Sequence, residues 1–346
     1  MDSDYQHELE MACTAVQLSS ILTRRVQEAT LSPENSISKA DFSPVTVGDF
    51  AVQALLTAAI HGDPNCEDDT FLAEESADEL RQNAPLLDKV WELIKEAKPS
   101  FSKPSFEDGP TSLATPTSSS ETMEYIDFGG KNERSDGPRT WVFDPIDGTQ
   151  TFLRGQQYTI NCAFLRHGRE EIGVIGCPNL KFDSSTVHED DIDTAGFGLM
   201  IFAVRGKGTW VRPMQQSGVL LPATRIDRHG DTKTLDQLVW SDCSTYTSTI
   251  TILQQQVAAK LNLSWPGVDL YSSILKYAAL GLGRCSVCMR IFKFASWRSN
   301  MWDHAGGVLI FEEAGGKVTD LEGKRIDFSR GRKMADSGLN ILQDVF

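Results

Sequence analysis

Trp141-Val-Phe-Asp-Pro-Ile-Asp-Gly-Thr149 runs three strand-favouring apolar residues into Asp144, a proline, Asp147, Gly148 and Thr149. Pro145 has no N–H to give a ladder, and it holds Asp144 extended, so the strand is predicted to stop here. Gly148 permits close backbone approach, and Thr149 is a residue type that opens helices. The pattern predicts a strand end that carries two carboxylates into a turn, followed by backbone N–H groups at a helix start. Carboxylates suit a hard divalent cation, and such N–H groups suit an anion. Asp, Pro and Gly are also common turn formers, so a plain surface turn fits the same residues.

The rest of the chain narrows the choice. At 346 residues and 40% hydrophobic content it is long enough for two domains or one large one. A formal charge of −15 argues against a protein that coats nucleic acid or binds an anionic membrane surface. It leaves room for an anionic substrate, because bound cations reverse the local field of an acidic site. No apolar run approaches ~18 residues and the amino terminus is acidic, so neither a membrane span nor a signal peptide is expected. Seven scattered cysteines, an odd number, fit reduced thiols in the cytoplasm. Cys285-Ser-Val-Cys288 stands without a second pair or nearby histidines, and it reads as part of a strand.

Residues 5–30 carry apolar side chains at helical spacing (Leu9, Cys13, Val16, Leu22, Val26) and predict an opening helix. Ser43-Pro44 marks a turn, Val45-Thr-Val47 a short strand, and Asp49 the first turn of a helix through Ile60. An Asp there also serves as a helix cap. Phe71-Leu-Ala-Glu-Glu-Ser76 follows an apolar pair with two glutamates, which on their own read as a solvated face. Residues 98–123 turn to Pro, Ser, Thr and Gly and predict a flexible insertion. Beyond Thr149, strands are expected over Tyr158–Leu165 and Ile172–Ile175, a hairpin over Phe197–Val211, and an exposed polar stretch at 181–195. Helices near Ile250–Leu261 and Tyr271–Leu282, strands at Leu238–Trp240 and Ser286–Ile291, and a helix capped by Asp303 complete an α/β second half. Asp49, Glu74, Asp144, Asp147 and Asp303 are five carboxylates with no Cys/His cluster to compete, which predicts Mg²⁺.

Asp144-Pro-Ile-Asp-Gly-Thr149 resembles the signature of the lithium-sensitive, magnesium-dependent phosphomonoesterases. These include inositol monophosphatases, inositol polyphosphate 1-phosphatases and 3′(2′),5′-bisphosphate nucleotidases. Ser43-Pro-Val-Thr-Val-Gly-Asp49, Phe152-Leu-Arg-Gly155 and Cys177-Pro-Asn179 resemble the nucleotidases most; Phe71–Ser76, Trp302-Asp-His-Ala-Gly306 and Glu313-Ala-Gly-Gly316 match the wider family. The likeness spans residues 5–330. It implies a layered αβαβα fold, with an α+β domain over 1–222 and an α/β domain over 223–346. It also implies that Glu74, Asp144, Asp147, Asp303 and the backbone carbonyl of Ile146 hold two or three Mg²⁺ ions. Asp49 and Thr149 would activate water beside Glu74, and Gly148 and Thr149 would offer N–H groups to the phosphate. His304 is expected to support the site rather than act in it. Ser273, Lys276 and Arg290, with Asp303, would bind the nucleotide, although Lys276 and Arg290 also read as surface cations.

The implied activity is removal of the 3′-phosphate from adenosine 3′,5′-bisphosphate and 3′-phosphoadenylyl sulfate, inhibited by Li⁺ and Na⁺, by a cytoplasmic monomer. No nucleic-acid polymer or membrane partner is expected. This chain departs from the family pattern at Ala73, Gln150-Thr151, Ser299-Asn-Met301 and the base-pocket segment 241–249. An inositol polyphosphate phosphatase, a relative acting on another small phosphate ester, and a non-catalytic phosphate-binding protein therefore stay open as alternatives.

Overall fold

The computed structural model describes residues 5–31, 44–102, 112–226, 234, 237–243, 249–294, 296–334 and 338–343. Helices α1 (Gln6–Leu31), α2 (Pro44–His61), α3 (Asp78–Gln82), α4 (Ala84–Phe101) and α5 (Ser119–Gly130) interleave with strand β1 (Thr70–Ala73). Then come β2 (Thr140–Asp147), the single turn α6 (Thr149–Phe152), β3 (Thr159–Arg166), β4 (Arg169–Cys177), β5 (Leu199–Val204), β6 (Thr209–Pro213) and β7 (Thr224–Ile226). Strands β1 to β7 form one sheet in sequence order, with only β1–β2 parallel. The later chain adds β8 (Trp240–Asp242), α7 (Thr251–Lys260), β9 (Val268–Asp269), α8 (Ser273–Gly281), β10 (Val287–Ile291), α9 (Gly307–Glu313), β11 (Gly316–Asp320) and β12 (Gly338–Gln343). Its five strands form a second sheet ordered β11-β12-β10-β8-β9.

The side-chain alternation of the strands builds the layers. Trp141, Phe143, Cys162 and Phe164 point into a core shared with α1, α2, α4 and α5. Val142, Ala163 and Leu165 point the other way, into a core shared with α8 and α9. That second core continues to Cys288 and Val318 of the second sheet, while Trp240 and Val287 face α7 on the far side. The order is helix, sheet, helix, sheet, helix, as expected. The site grows from the middle of this stack, where β2 meets the start of α8.

Several local expectations give way to the fold. Val45–Val47 are helical, because Pro44 heads α2 where its missing N–H leaves nothing unsatisfied. Residues 39–43 of that stretch lie outside the described residues, as do 103–111 of the 98–123 segment and 244–248 of the altered base-pocket segment. Helices reach into 98–123 from both ends, α4 through Phe101 and α5 from Ser119. Strand β2 does not stop at Pro145. β1 pairs only as far as Phe143, so beyond it the missing N–H faces no partner strand. Asp144 pairs with Asn161 and Asp147 with Thr159, so Pro145 and Ile146 stand opposite the single Ile160, which is a bulge between the two aspartates.

Candidate metal centre and active site

Asp144 is buried, and Asp147 lies just past the bulge at the half-buried end of β2. Asp303 comes from the turn before α9 and is not its cap, which is Gly306. One carboxylate oxygen from each of Asp144, Asp147 and Asp303 lies within 4.8 Å of the others. Glu74 follows β1, keeps solvent contact, and lies close enough to Asp144 to repel its charge. Asp49, on the buried face of α2, joins this group through the charge it shares with Glu74, Glu75 and Asp144. Helix α2 presses close to β2 here, since a Cβ on Gly48 would lie 3.0 Å from Ile146 Cδ1.

Crowded carboxylates resist ionisation. Burial, and then repulsion from Glu75 and Glu74, holds Asp49 well above the usual carboxylate range. Burial and repulsion from Glu74, Asp147 and Asp303 do the same to Asp144. Glu74, although it keeps solvent contact, is raised above its usual range by partial loss of solvation and then by Glu75, Asp303 and Asp147. Asp303 reaches about 7 through burial and Asp147, opposed by Arg290 and Lys333. Asp147 is also raised by burial, against hydrogen bonds from Ser272 and Ile274. Asp49 Oδ1 and Asp144 Oδ1 are buried without a hydrogen-bond partner. An all-oxygen donor set with mutual repulsion and orphaned oxygens fits a hard divalent cation, which would relieve both costs.

The anion side is built around two short segments. Gly148 takes φ 99°, in the left-handed region, and turns the chain from β2 into α6. The first N–H groups of that turn have no intrahelical acceptor. The Thr149 hydroxyl, exposed, donates to the Ile146 carbonyl at 3.4 Å. Asp147 Oδ2 accepts from Ile274 N at 2.6 Å and from the Ser272 hydroxyl, so the start of α8 is tied to the end of β2. Lys276 and Arg290 are buried rather than surface cations. Lys276 Nζ donates to the carbonyls of Tyr271 (3.3 Å) and Ser272 (3.2 Å), and Arg290 Nη1 donates to Ser273 Oγ at 3.1 Å. Of the site residues expected from the sequence, Asp144, Asp147 and Asp303 are brought together, and Glu74, Asp49, Lys276 and Arg290 lie near enough to act on carboxylates of this group by charge.

A model of the inositol monophosphatase family matches residues 4–344. The chain belongs to this family. A 3′(2′),5′-bisphosphate nucleotidase of Emericella nidulans is 35% identical over 96% of this chain and 92% of its own length. The 3′,5′-bisphosphate nucleotidase 2 of Arabidopsis thaliana is 34% identical over 96% and 90%. A crystal structure of a bacterial inositol monophosphatase family member from Bacteroides thetaiotaomicron superposes over 98% of both chains with a TM-score of 0.61, at 16% identity.

Around this family's carboxylates the chain places groups that the sequence reading missed. Gln53 of α2 fixes the glutamate pair, donating to Glu75 O at 2.6 Å and accepting from Glu75 N at 2.9 Å. Arg332 donates to Glu74 O at 3.2 Å and lies over the Trp302 ring at 4.6 Å. Asn300, in one of the segments that departs from the family pattern, donates to Asp303 Oδ2 at 3.4 Å and is itself held by Lys333. Ser272 caps α8 through Leu275 N at 2.9 Å. Of these only Ser272 has a local signal, a serine directly before a helical apolar run. His304 is buried, with Nδ1 2.9 Å from the Tyr277 hydroxyl. Burial and the nearby Arg290 and Lys276 charges keep it neutral. The seven cysteines are buried thiols. No helix among the described residues is long and apolar enough to cross a membrane.

Proposed function

We propose that this chain is a 3′(2′),5′-bisphosphate nucleotidase, a phosphomonoesterase that removes the 3′-phosphate of adenosine 3′,5′-bisphosphate and of 3′-phosphoadenylyl sulfate with the help of Mg²⁺. The observation that carries the proposal is the convergence of Asp144, Asp147 and Asp303 beside the buried pair Lys276 and Arg290. The names of the relatives in fungi and plants point the same way.

Glu74, Asp144, Asp147, Asp303 and the Ile146 carbonyl would hold two or three Mg²⁺ ions. Divalent cations there would neutralise charge on the phosphate and acidify the attacking water. The Thr149 hydroxyl and Asp49, whose Oδ1 is unpartnered, would orient that water, and the Asp49 carboxylate would take its proton. The N–H groups of Gly148 and Thr149 would face the phosphate oxygens as the ester bond breaks and the leaving hydroxyl takes a proton. Ser273, Lys276 and Arg290, bordered by Asp303, would take the second phosphate, which distinguishes a bisphosphate from a simple ester. One chain supplies every group, as a monomer requires, and buried thiols suit a reducing cytoplasm.

Phosphate release from adenosine 3′,5′-bisphosphate with Mg²⁺, with and without Li⁺, tests this directly. Li⁺-sensitive release that Asp144→Asn abolishes is the expected result. Release from inositol 1,4-bisphosphate instead would make the chain an inositol polyphosphate phosphatase. Binding of Mg²⁺ and phosphate without turnover of either would make it a non-catalytic relative.

A further inference from the structure

We propose that Asn161, assisted by Glu170, is a positioning residue for the carboxylate centre: together they hold residues 302–306 out of the helix that follows, so that Asp303 faces Asp144 and Asp147. The inference rests on the metal-centre reading above. It starts from an oddity of composition. Strand β3 is buried along its length except at Arg166, and β4 is its buried neighbour. Apolar residues are expected there, yet Asn161 is 0% exposed and Glu170 2%. Buried polar side chains cost roughly 1–3 kcal/mol unless hydrogen-bonded, so their partners explain their presence.

Both partners lie in the turn that carries Asp303. Asn161 Nδ2 spends its two protons on the carbonyls of Trp302 (2.9 Å) and Ala305 (2.8 Å). Glu170 Oε1 accepts from Gly306 N at 2.7 Å. In a continuing α-helix Gly306 N would aim at Trp302 O, four residues back. Here Glu170 takes the donor and Asn161 takes the acceptor, and α9 begins only at Gly307. The turn sits directly on the hairpin. Gly306 has φ 85°, a Cβ on it would meet Asn161 Oδ1 at 3.0 Å, and a Cβ on Gly173 would meet Gly306 O at 2.5 Å. Asn161 is also the register partner of Asp144 on the same face of the sheet. One side chain therefore sets the distance between a carboxylate of β2 and a carboxylate of the later chain.

The test is Mn²⁺ titration of the full chain by electron paramagnetic resonance, paired with thermal melting in chelator. Asn161→Val removes both donors while keeping a strand-compatible side chain. It is expected to raise the Mn²⁺ dissociation constant by about tenfold or more, the scale of loss on removing such a supporting contact. Leu86→Ala, a core truncation in α4, serves as the stability control and should leave Mn²⁺ affinity within about twofold of wild type. Glu170→Leu should weaken binding, and Glu170→Gln, which keeps the acceptor for Gly306 N, should restore it. Unchanged affinity in Asn161→Val, an equal loss in Leu86→Ala, or equal binding by Glu170→Leu and Glu170→Gln overturns the inference. Should Asn161→Val fail to fold, the Glu170 pair decides alone. Wild-type Mn²⁺ binding that Asp144→Asn leaves intact overturns the metal-centre reading itself, and this inference with it.

Discussion

Asp144 sits where a lone carboxylate is costly. It is buried in β2, its Oδ1 has no partner, and Glu74, Asp147 and Asp303 repel its charge. Asp144→Asn removes that charge with little change of shape. In chelator at neutral pH the variant is expected to melt above wild type, since the wild-type chain must take up a proton at Asp144 to fold and the variant need not. With Mg²⁺ it is expected to release phosphate roughly a hundredfold more slowly or worse, because cation stabilisation of the transition state is worth several kcal/mol. A variant that melts lower in chelator and stays active would contradict both halves. Arg290 makes a sharper prediction about the substrate. Its guanidinium is buried against Ser273 Oγ and stacks on Phe292 at 5.3 Å. If it takes the second phosphate, Arg290→Met should raise KM for adenosine 3′,5′-bisphosphate by roughly ten- to a hundredfold, the worth of one charged hydrogen bond. Adenosine 3′-monophosphate, which lacks that phosphate, should be turned over almost as before. Equal losses on both substrates would remove Arg290 from that role.

The β3–β4 hairpin carries a cost of its own. Burial pushes Glu170 up to about 7 from its usual 4.5, against the Gly306 N–H and Arg205. The folded-state pKa lies above the unfolded one, so the folded chain holds the proton longer. Stability from this group is full below about 4.5 and declines as pH rises to about 7. At about 1.4 kcal/mol per unit, roughly 3 kcal/mol is lost by pH 8. Glu170→Gln keeps the acceptor and removes the titration. In urea melts with chelator its advantage over wild type should be larger at pH 8 than at pH 5 by roughly 2 kcal/mol. An equal advantage at both would mean that Glu170 is ionised throughout. Neighbours such as these explain why the sequence told some things and not others. Asp144, Asp147 and Asp303 were legible as a group because each stands in a string that resembles the family's, whereas on local chemistry alone a turn or a helix cap fitted them as well. Val45–Val47 misled because β-branched residues suit strands, yet the apolar pattern beyond Pro44 continues one helix. Pro145 misled because whether its missing N–H matters depends on where β1 ends, at Ala73, far back in the chain. Asn161, Asn300, Arg332 and Lys333 meet their partners only once the two sheets are assembled.

The assembly also explains why so acidic a chain keeps its carboxylates together. β2 belongs to the seven-stranded sheet, whereas Asp303 is carried by the chain between β10 and α9, beside the second sheet. The centre lies where these two halves meet, and its like charges push them apart. A cation bound there would turn that repulsion into a clamp. Ligand that binds only the folded state adds stability by mass action, about 2.7 kcal/mol at a concentration of a hundred dissociation constants. The melting temperature should therefore climb with Mg²⁺ and drop on adding chelator. General screening of the −15 net charge would also stabilise the chain, so KCl at matched ionic strength is the control and should do much less. Asp144→Asn should flatten the Mg²⁺ response while leaving the KCl response as it is. A Mg²⁺ response that KCl reproduces, or that survives in Asp144→Asn, would place the stabilising cations elsewhere on the acidic surface.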